Sequence, residues 1–221
     1  MNLLLIRHGA TKANIDKRFQ GTLDYPLSEE GKKQAELLAA RLKDERISMI
    51  YTSDLIRAKD TAEEIKRYHD KKIALEVMPQ LREYSWGIIE GLTREEIRLK
   101  YSELANKMEK NFWNTTIPKE EGILVFKERL QRVFNLLVER HLDDASGTNE
   151  NIALVTHGRV LGGLIALITS YNLYDMPWPF VFSNASLTKV SVSYYSNEIR
   201  SRIVLLNDIC HIKGCEEGIT Y

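Results

Sequence analysis

The chain has 221 residues, enough for one domain with a sizeable hydrophobic core. Its 31 basic and 31 acidic residues balance, so no excess of positive charge indicates binding to nucleic acid or to an anionic membrane. No apolar run is long enough to span a membrane, and the run Leu3 to Ile6 is too short for an export signal. We therefore predict a cytoplasmic protein whose two cysteines, Cys210 and Cys215, are reduced thiols.

The first predicted element is a strand that ends in a polar turn. The apolar run Leu3 to Ile6 leads directly into Arg7, His8 and a glycine, and polar residues continue to Asn14. Such short apolar runs are typical of buried strands in α/β sheets. Ligands bind beyond the carboxyl ends of these strands, so Arg7 and His8 are predicted to lie at a functional site.

Helix and strand patterns alternate through the middle of the chain. After a turn-rich segment over residues 15–27, capping residues and apolar spacing predict helices over residues 28–46 and 54–68, each followed by a short strand, over residues 48–51 and 73–77. A loop to residue 91 follows. One helix is then predicted to begin after Thr93, its N-cap, and to bury Ile97, Tyr101, Leu104 and Met108. Irregular residues 111–122, a helix to about residue 141 and a polar loop over residues 143–149 follow.

The arrangement of an apolar strand followed by His-Gly then occurs a second time. The strand Ile152 to Val155 leads through Thr156, His157 and Gly158 into an apolar helix that ends near residue 168. A loop rich in proline and aromatic residues precedes a predicted hairpin, formed by residues 187–195 and 203–206 with Asn197 between them. No linker or repeat divides the chain, so we predict one domain over residues 1–221, with insertions on a βαβ core.

Several of these residues form a set that suits phosphoryl transfer. Hydrolysis of a phosphate monoester can need up to about 10²¹-fold acceleration, which requires a nucleophile, converging positive donors and an acid for the leaving alkoxide. The residue types needed are present at strand ends, at one helix start and in one loop: His8, Arg7, Arg57, His157 and Glu83. Asn14, Gln20, Gly21 and Gly158 are available to line a pocket.

The two catalytic groups need opposite protonation. A nucleophilic His8 must be neutral, and two nearby guanidinium groups are expected to lower its pKa. Glu83 must instead hold a proton that it can donate to the leaving group. Each residue alone also fits an ordinary structural role, so the functional interpretation depends on the ordered combination.

Residues 5–14, Leu-Ile-Arg-His-Gly-Ala-Thr-Lys-Ala-Asn, resemble the signature of the histidine phosphatase superfamily, the phosphoglycerate mutase-like proteins. The resemblance covers nearly the whole chain and is weakest over residues 102–150. It continues in order through residues 20–21, 26–31, 34–35, 51–55, 57–58, 61–62, 81–83, 86–87, 90–91, 155–158, 207–208 and 211. It implies a largely parallel α/β sheet flanked by helices on both faces, a three-layer α/β/α fold, with no metal or other cofactor.

The resemblance also implies roles for the candidate residues. His8 would be phosphorylated transiently, and Glu83 would serve as acid and then as base. Arg7, Arg57 and His157 would grip the phosphoryl oxygens. The remaining four, Asn14, Gln20, Gly21 and Gly158, would line the phosphate site. The implied partner is a small phosphorylated metabolite, and the oligomeric state stays open.

The loop after Glu83 favours a phosphatase over a mutase. Mutases of this family commonly continue with Arg-His-Tyr-Gly and carry a later Arg-Arg pair, whereas here residues 84–87 read Tyr-Ser-Trp-Gly and no Arg-Arg pair occurs. Two smaller departures from the family pattern remove no catalytic group. Ala10 stands where many members carry Glu, and residues 121–123 replace a frequent Gly-Glu-Ser run. A cofactor-dependent phosphoglycerate mutase is the alternative, and an inactive phosphate-binding protein is the second alternative.

The substrate's organic part is expected to contact two variable stretches of the chain. These are residues 92–122 and 174–184, which include the aromatic residues Phe112, Trp113 and Trp178. Their aromatic content suits an organic body beyond the phosphate, although packing residues would look the same. The sequence leaves the identity of that body open.

Overall fold

The computed structural model describes residues 1–69, 73–142, 150–171, 180–196 and 198–212. Trp178, Asn197, Cys215 and the predicted loop over residues 143–149 lie outside the described residues. Within them, no helix is long and apolar enough to cross a membrane.

The strands form a six-stranded mixed sheet with the order β3-β2-β4-β1-β5-β6. Their bounds are β1 Asn2–Arg7, β2 Ile47–Thr52, β3 Ala74–Val77, β4 Asn151–Thr156, β5 Leu187–Tyr195 and β6 Glu198–Asp208. The first four strands pair in parallel, and β5 and β6 add antiparallel partners beyond β1. The largely parallel sheet and the terminal hairpin are therefore confirmed.

Helices cover both faces of this sheet, which confirms the predicted three-layer arrangement. The helices are α1 Lys12–Ile15, α2 Glu29–Leu42, α3 Ile56–Arg67, α4 Arg94–Lys100, α5 Ser102–Asn111, α6 Ile123–His141 and α7 Gly158–Ile168. Side chains alternate along β1, so Leu4 packs with α2 and α3 on one face while Leu5 packs with α6 and α7 on the other. Full burial of such a side chain contributes about 1.5–3 kcal/mol.

The register between β1 and β4 positions the two histidines. Arg7 is paired with Thr156 in the parallel ladder, so both strands end at the same level. The backbone N–H of His8 donates to the Thr156 carbonyl at 3.0 Å, which extends the ladder by one residue. His8 and His157 therefore leave neighbouring strands side by side.

The single helix predicted after Thr93 is wrong, because the chain forms two helices there. The backbone breaks at Tyr101, with φ −138° and ψ 60°, and this residue ends α4 and begins α5. The break lets both helices cover one small cluster, since Ile97 from α4 and Met108 from α5 are buried against Ile89. Two smaller differences are that α2 ends at Leu42 rather than near residue 46, and that the one-turn helix α1 precedes the polar turn segment.

Candidate active site

The candidate site lies at the carboxyl ends of β1 and β4. The ring centroids of His8 and His157 are 5.1 Å apart, with the rings inclined at 60°. Both residues are buried, as is Arg57 from the first turn of α3. The structure thus brings together three candidates that are far apart in the sequence.

His8 is held in one orientation by its neighbour. Its Nδ1 lies 2.7 Å from the Gly9 carbonyl oxygen, an acceptor that assigns the proton to Nδ1. The lone pair of the neutral ring is then on Nε2, the atom available as a nucleophile. Burial, followed by the positive charges of Arg57 and Arg7, lowers the pKa of His8 well below its ordinary value. The direction agrees with the sequence prediction, but burial is the larger cause.

His157 has a different environment. Neither of its ring nitrogens has a hydrogen-bond partner among the described residues, although both are buried. Burial, followed by the charge of Arg57, lowers its pKa well below the ordinary value, so the ring is neutral and keeps one N–H. A buried donor without an acceptor costs about 1–3 kcal/mol, which suits a residue that donates to a bound ligand.

The two arginines are anchored by backbone carbonyls rather than by ion pairs in the described part of the chain. Arg57 donates from Nη1 to the Leu23 carbonyl at 2.7 Å and from Nη2 to the Gly21 carbonyl at 2.8 Å. Arg7 donates from Nη1 to the Phe182 carbonyl. Burial lowers the pKa of Arg57 to about 10, which still leaves it charged at neutral pH. Cations that are largely removed from water and hydrogen-bonded to neutral carbonyls favour an anionic ligand between them.

The Nε atoms of both arginines add unused donors to this site. In the described chain, neither Nε has a hydrogen-bond partner, although both are buried. The backbone anchors fix each guanidinium in place, so these donors need no reorganisation when an anion binds. The cluster therefore has the character of a preformed oxyanion site.

Glu83 is fixed by two backbone donors. It follows the short 3₁₀ turn Pro79–Leu81 after β3, and its Oε1 accepts the N–H of Tyr84 at 2.8 Å. Its Oε2 accepts the N–H of Arg159 at 3.2 Å, at the start of α7. These contacts place a carboxyl group beside the residue that follows His157 and Gly158.

The four predicted lining residues join the same cluster. Asn14 Oδ1 accepts from Asn184 Nδ2 at 3.3 Å, and the same Asn184 nitrogen donates to the His8 carbonyl at 3.0 Å. Thr11 links Asn14 to Gln20, because its hydroxyl lies 3.0 Å from Asn14 Oδ1 and 2.9 Å from Gln20 Oε1.

The two lining glycines differ in their room for a side chain. Gly21 has φ +52°, and a Cβ there would lie 2.0 Å from Glu90 Oε1. A Cβ at Gly158 would lie 3.5 Å from Arg7 Nε. The backbone at both positions therefore lies against residues that surround the candidate site.

Three contributing residues were missed by the sequence prediction. Thr61 accepts the Gly9 N–H at 3.1 Å, Asn184 supports His8 as described above, and Arg159 positions Glu83 through its backbone. Asn184 lay in a stretch expected to form only a pocket wall. Thr61 falls in a block that the family resemblance covers, whereas Asn184 and Arg159 carry no sequence signal, because their roles depend on contacts between distant parts of the chain.

A cavity of about 370 Å³ adjoins this cluster. Phe112 and Trp113, from the variable stretch over residues 92–122, line it. Tyr84, Trp86 and Arg159 also line it, and these residues adjoin the catalytic candidates in sequence. Among the described residues, no group of three or more His, Cys, Asp or Glu side chains is arranged to hold a metal ion.

Comparison with known proteins gives consistent matches over most of the chain. A family model described as the histidine phosphatase superfamily (branch 1) matches residues 3–207. Phosphoserine phosphatase 1 of Hydrogenobacter thermophilus is 29% identical over 212 residues, covering 96% of this chain and 94% of the relative. A probable phosphoglycerate mutase of Photorhabdus laumondii is 34% identical over 168 residues, covering 76% and 74%.

Solved structures show the same likeness. The structure of a mycobacterial glucosyl-3-phosphoglycerate phosphatase superposes with a TM-score of 0.81 at 28% identity, covering 94% of this chain and 99% of that one. The matched proteins thus include some named as phosphatases and others named as phosphoglycerate mutases.

Proposed function

The chain belongs to the histidine phosphatase superfamily, and on that premise we propose that it is a metal-independent phosphomonoester hydrolase that acts on a small phosphorylated metabolite through a phosphohistidine at His8. The observation that carries the proposal is the environment of His8. A neutral imidazole with its Nδ1 proton engaged lies beside a second neutral histidine and within the electrostatic influence of two guanidinium groups. This combination supplies a nucleophile and the positive donors that phosphoryl transfer needs.

In the first step, Nε2 of His8 attacks phosphorus while the ester P–O bond breaks. The donors of Arg7, Arg57 and His157 stabilise the charge that develops on the phosphoryl oxygens, and each such donor typically accounts for about 10²–10³ in rate. Glu83 gives its proton to the departing alkoxide, so the alcohol leaves neutral.

In the second step, water replaces the alcohol. The Glu83 carboxylate takes a proton from the attacking water, a P–O bond forms, and the N–P bond to His8 breaks. Inorganic phosphate is released, and His8 and Glu83 return to their starting protonation states. The cycle consumes one water per phosphate released and needs no other reactant.

Two features favour hydrolysis over mutase chemistry. Residues 84–87 read Tyr-Ser-Trp-Gly, and the sequence has no Arg-Arg pair to hold a second charged group. The relatives named as a phosphoserine phosphatase and a glucosyl-3-phosphoglycerate phosphatase are matched over more than nine-tenths of this chain. The relative named as a probable phosphoglycerate mutase keeps mutase activity as a second candidate.

The test is a direct comparison of the two reactions. Phosphate release from a panel of phosphorylated metabolites is measured beside isomerisation of phosphoglycerate with bisphosphoglycerate present. We expect release to exceed isomerisation for at least one compound. Isomerisation far in excess of release would instead identify a mutase. Equal, very slow turnover by the wild type and by His8→Ala would identify an inactive phosphate-binding protein.

A further inference from the structure

The cavity beside the catalytic cluster contains two opposite charges. Of the described residues that line it, Arg159 is the basic one and Glu120 the acidic one, and four aromatic residues surround them. The aromatic residues are Tyr84, Trp86, Phe112 and Trp113. A volume of about 370 Å³ is within the usual range for a small-molecule site.

The position of the cavity suits the alcohol part of a substrate. Tyr84 directly follows Glu83, the proposed proton donor to the leaving alcohol, and both Glu83 oxygens accept from residues that line the cavity. On the other side, Arg159 directly follows Gly158 at the phosphate site. A group attached to the leaving oxygen would therefore extend into this cavity.

The guanidinium of Arg159 is held among aromatic rings. Its Cζ lies 4.4 Å from the ring centroid of Tyr84, 4.7 Å from that of Trp86 and 5.1 Å from that of Trp113. Stacking engages the faces of a guanidinium, whereas its N–H donors point outward in the plane. A fixed planar fork of this kind matches a carboxylate, which accepts two parallel hydrogen bonds.

The charge balance of the cavity favours a carboxylate over a second phosphate. Glu120 accepts a hydrogen bond from the Tyr84 hydroxyl at 3.0 Å, so its carboxylate shares the cavity with Arg159. A doubly charged phosphate would be repelled by Glu120 more strongly than a carboxylate, and one guanidinium edge supplies two parallel donors, which match the two oxygens of a carboxylate. A singly charged carboxylate suits this pair better.

We propose that Arg159 binds a carboxylate on the alcohol part of the substrate, so that phosphorylated hydroxy acids, with or without an amino group, are the preferred substrate class. This inference rests on the proposed function, because it takes the phosphate to lie against His8. It makes Arg159 a specificity residue, distinct from the residues that bind the phosphoryl group.

The test compares substrate pairs that differ in the carboxylate. Phosphoserine is paired with phosphoethanolamine, and 3-phosphoglycerate with glycerol 3-phosphate, so one pair carries an amino group and the other does not. For the wild type, we expect a higher kcat/KM for the carboxylate-bearing member of each pair. In Arg159→Met, which keeps an unbranched side chain but removes the guanidinium, that preference should fall about 10- to 100-fold, mainly through KM.

Two further variants make the result specific. Arg159→Lys keeps the charge but not the planar fork and should retain part of the preference. Arg200→Met removes an exposed arginine from β6 and should leave the preference unchanged. Arg200 suits this control because it lies at the opposite end of the sheet from His8. It pairs with Ser193 of β5, two residues beyond Ser191, which pairs with Asn2 at the start of β1.

A binding measurement separates this inference from the proposed function. Calorimetry with His8→Asn and with His8→Asn/Arg159→Met compares the Kd of 3-phosphoglycerate with that of glycerol 3-phosphate without turnover. A preference that is lost with Arg159 supports the inference even where no phosphate is released by the wild type. An equal loss for both members of a pair, or no carboxylate preference in the wild type, would overturn it.

Discussion

The two strand–His-Gly–helix units of this protein share a local sequence pattern but differ in the environment of their histidines. In the β1 unit, the Gly9 carbonyl accepts from His8 Nδ1. In the β4 unit, His157 has no partner on either ring nitrogen among the described residues. Hydrogen bonding fixes the tautomer of the first ring and leaves the second able to donate to a ligand. On this difference we propose His8 as the nucleophile and His157 as a hydrogen-bond donor to the phosphoryl group.

The largest expected effect comes from the β1 unit. His8→Asn removes the proposed nucleophile, and the loss of a nucleophile that acts in concert with other groups typically costs about 10⁴-fold or more in kcat. Phosphate release under saturating substrate measures this loss. Activity within tenfold of the wild type would show that His8 is not the nucleophile.

The β4 unit is expected to give a smaller loss of a different kind. His157→Asn removes one donor to the phosphoryl group and should lower kcat about 10²–10³-fold, while His8 is still phosphorylated. His69→Asn, which removes a half-buried histidine two residues after α3, serves as the matched control and should keep wild-type activity. A loss as large as that of His8→Asn, together with absence of phosphoenzyme, would contradict the assignment.

The glycines of the two units differ in their tolerance of a side chain. A Cβ at Gly9 would lie 2.3 Å from the Gly31 carbonyl oxygen, so backbone must move, whereas a Cβ at Gly158 makes an ordinary contact with Arg7 at 3.5 Å. Gly9→Ala should therefore lower the free energy of unfolding by about 1–3 kcal/mol. Gly158→Ala should change it little. Urea unfolding measures both changes in the free energy of unfolding. Equal effects would show that the backbone around Gly9 can shift to accommodate a Cβ at little cost in free energy.

The histidines of both units are expected to make the stability of the protein fall as the pH is lowered. Both histidines have a lowered pKa in the folded protein, and burial is the main cause for each. Below about pH 6.5 the unfolded chain binds protons that the folded histidines do not, so acid favours unfolding. Each histidine then lowers the free energy of unfolding by about 1.4 kcal/mol per pH unit, until its own folded pKa is reached.

Single and double replacements test this linkage. His8→Asn and His157→Asn should each flatten the decline in stability as the pH is lowered from 7 to 5.5, and the double variant should flatten it further. Urea unfolding at several pH values provides the free energies. An unchanged slope for either variant would mean that the corresponding histidine takes up its proton in the folded state.

The sequence predicts which residues meet at the carboxyl end of the sheet because its signals are local. Arg7 is the last residue of β1, His8 and His157 directly follow β1 and β4, and Arg57 falls in the first turn of an amphipathic helix. Parallel strands align their carboxyl ends, so the topology alone brings these residues together.

The cavity was less predictable because it depends on contacts between distant loops. Arg159 stacks on Tyr84 and Trp113, which are 75 and 46 positions away, and no local pattern indicates that the three meet. The break at Tyr101 was missed for a related reason. The apolar spacing continues through it, and only packing around Ile89 and Ile117 shows that two helices share one cluster.

The most direct measurement is the site of covalent phosphorylation. The wild type is mixed rapidly with p-nitrophenyl phosphate, quenched in alkaline denaturant that preserves phosphohistidine, and mapped by mass spectrometry of its peptides. The predicted result is a phosphoryl group on His8 that is absent from His8→Asn and present in His157→Asn. A phosphoryl group on His157, or turnover with no phosphoenzyme at any time, would contradict the central claim.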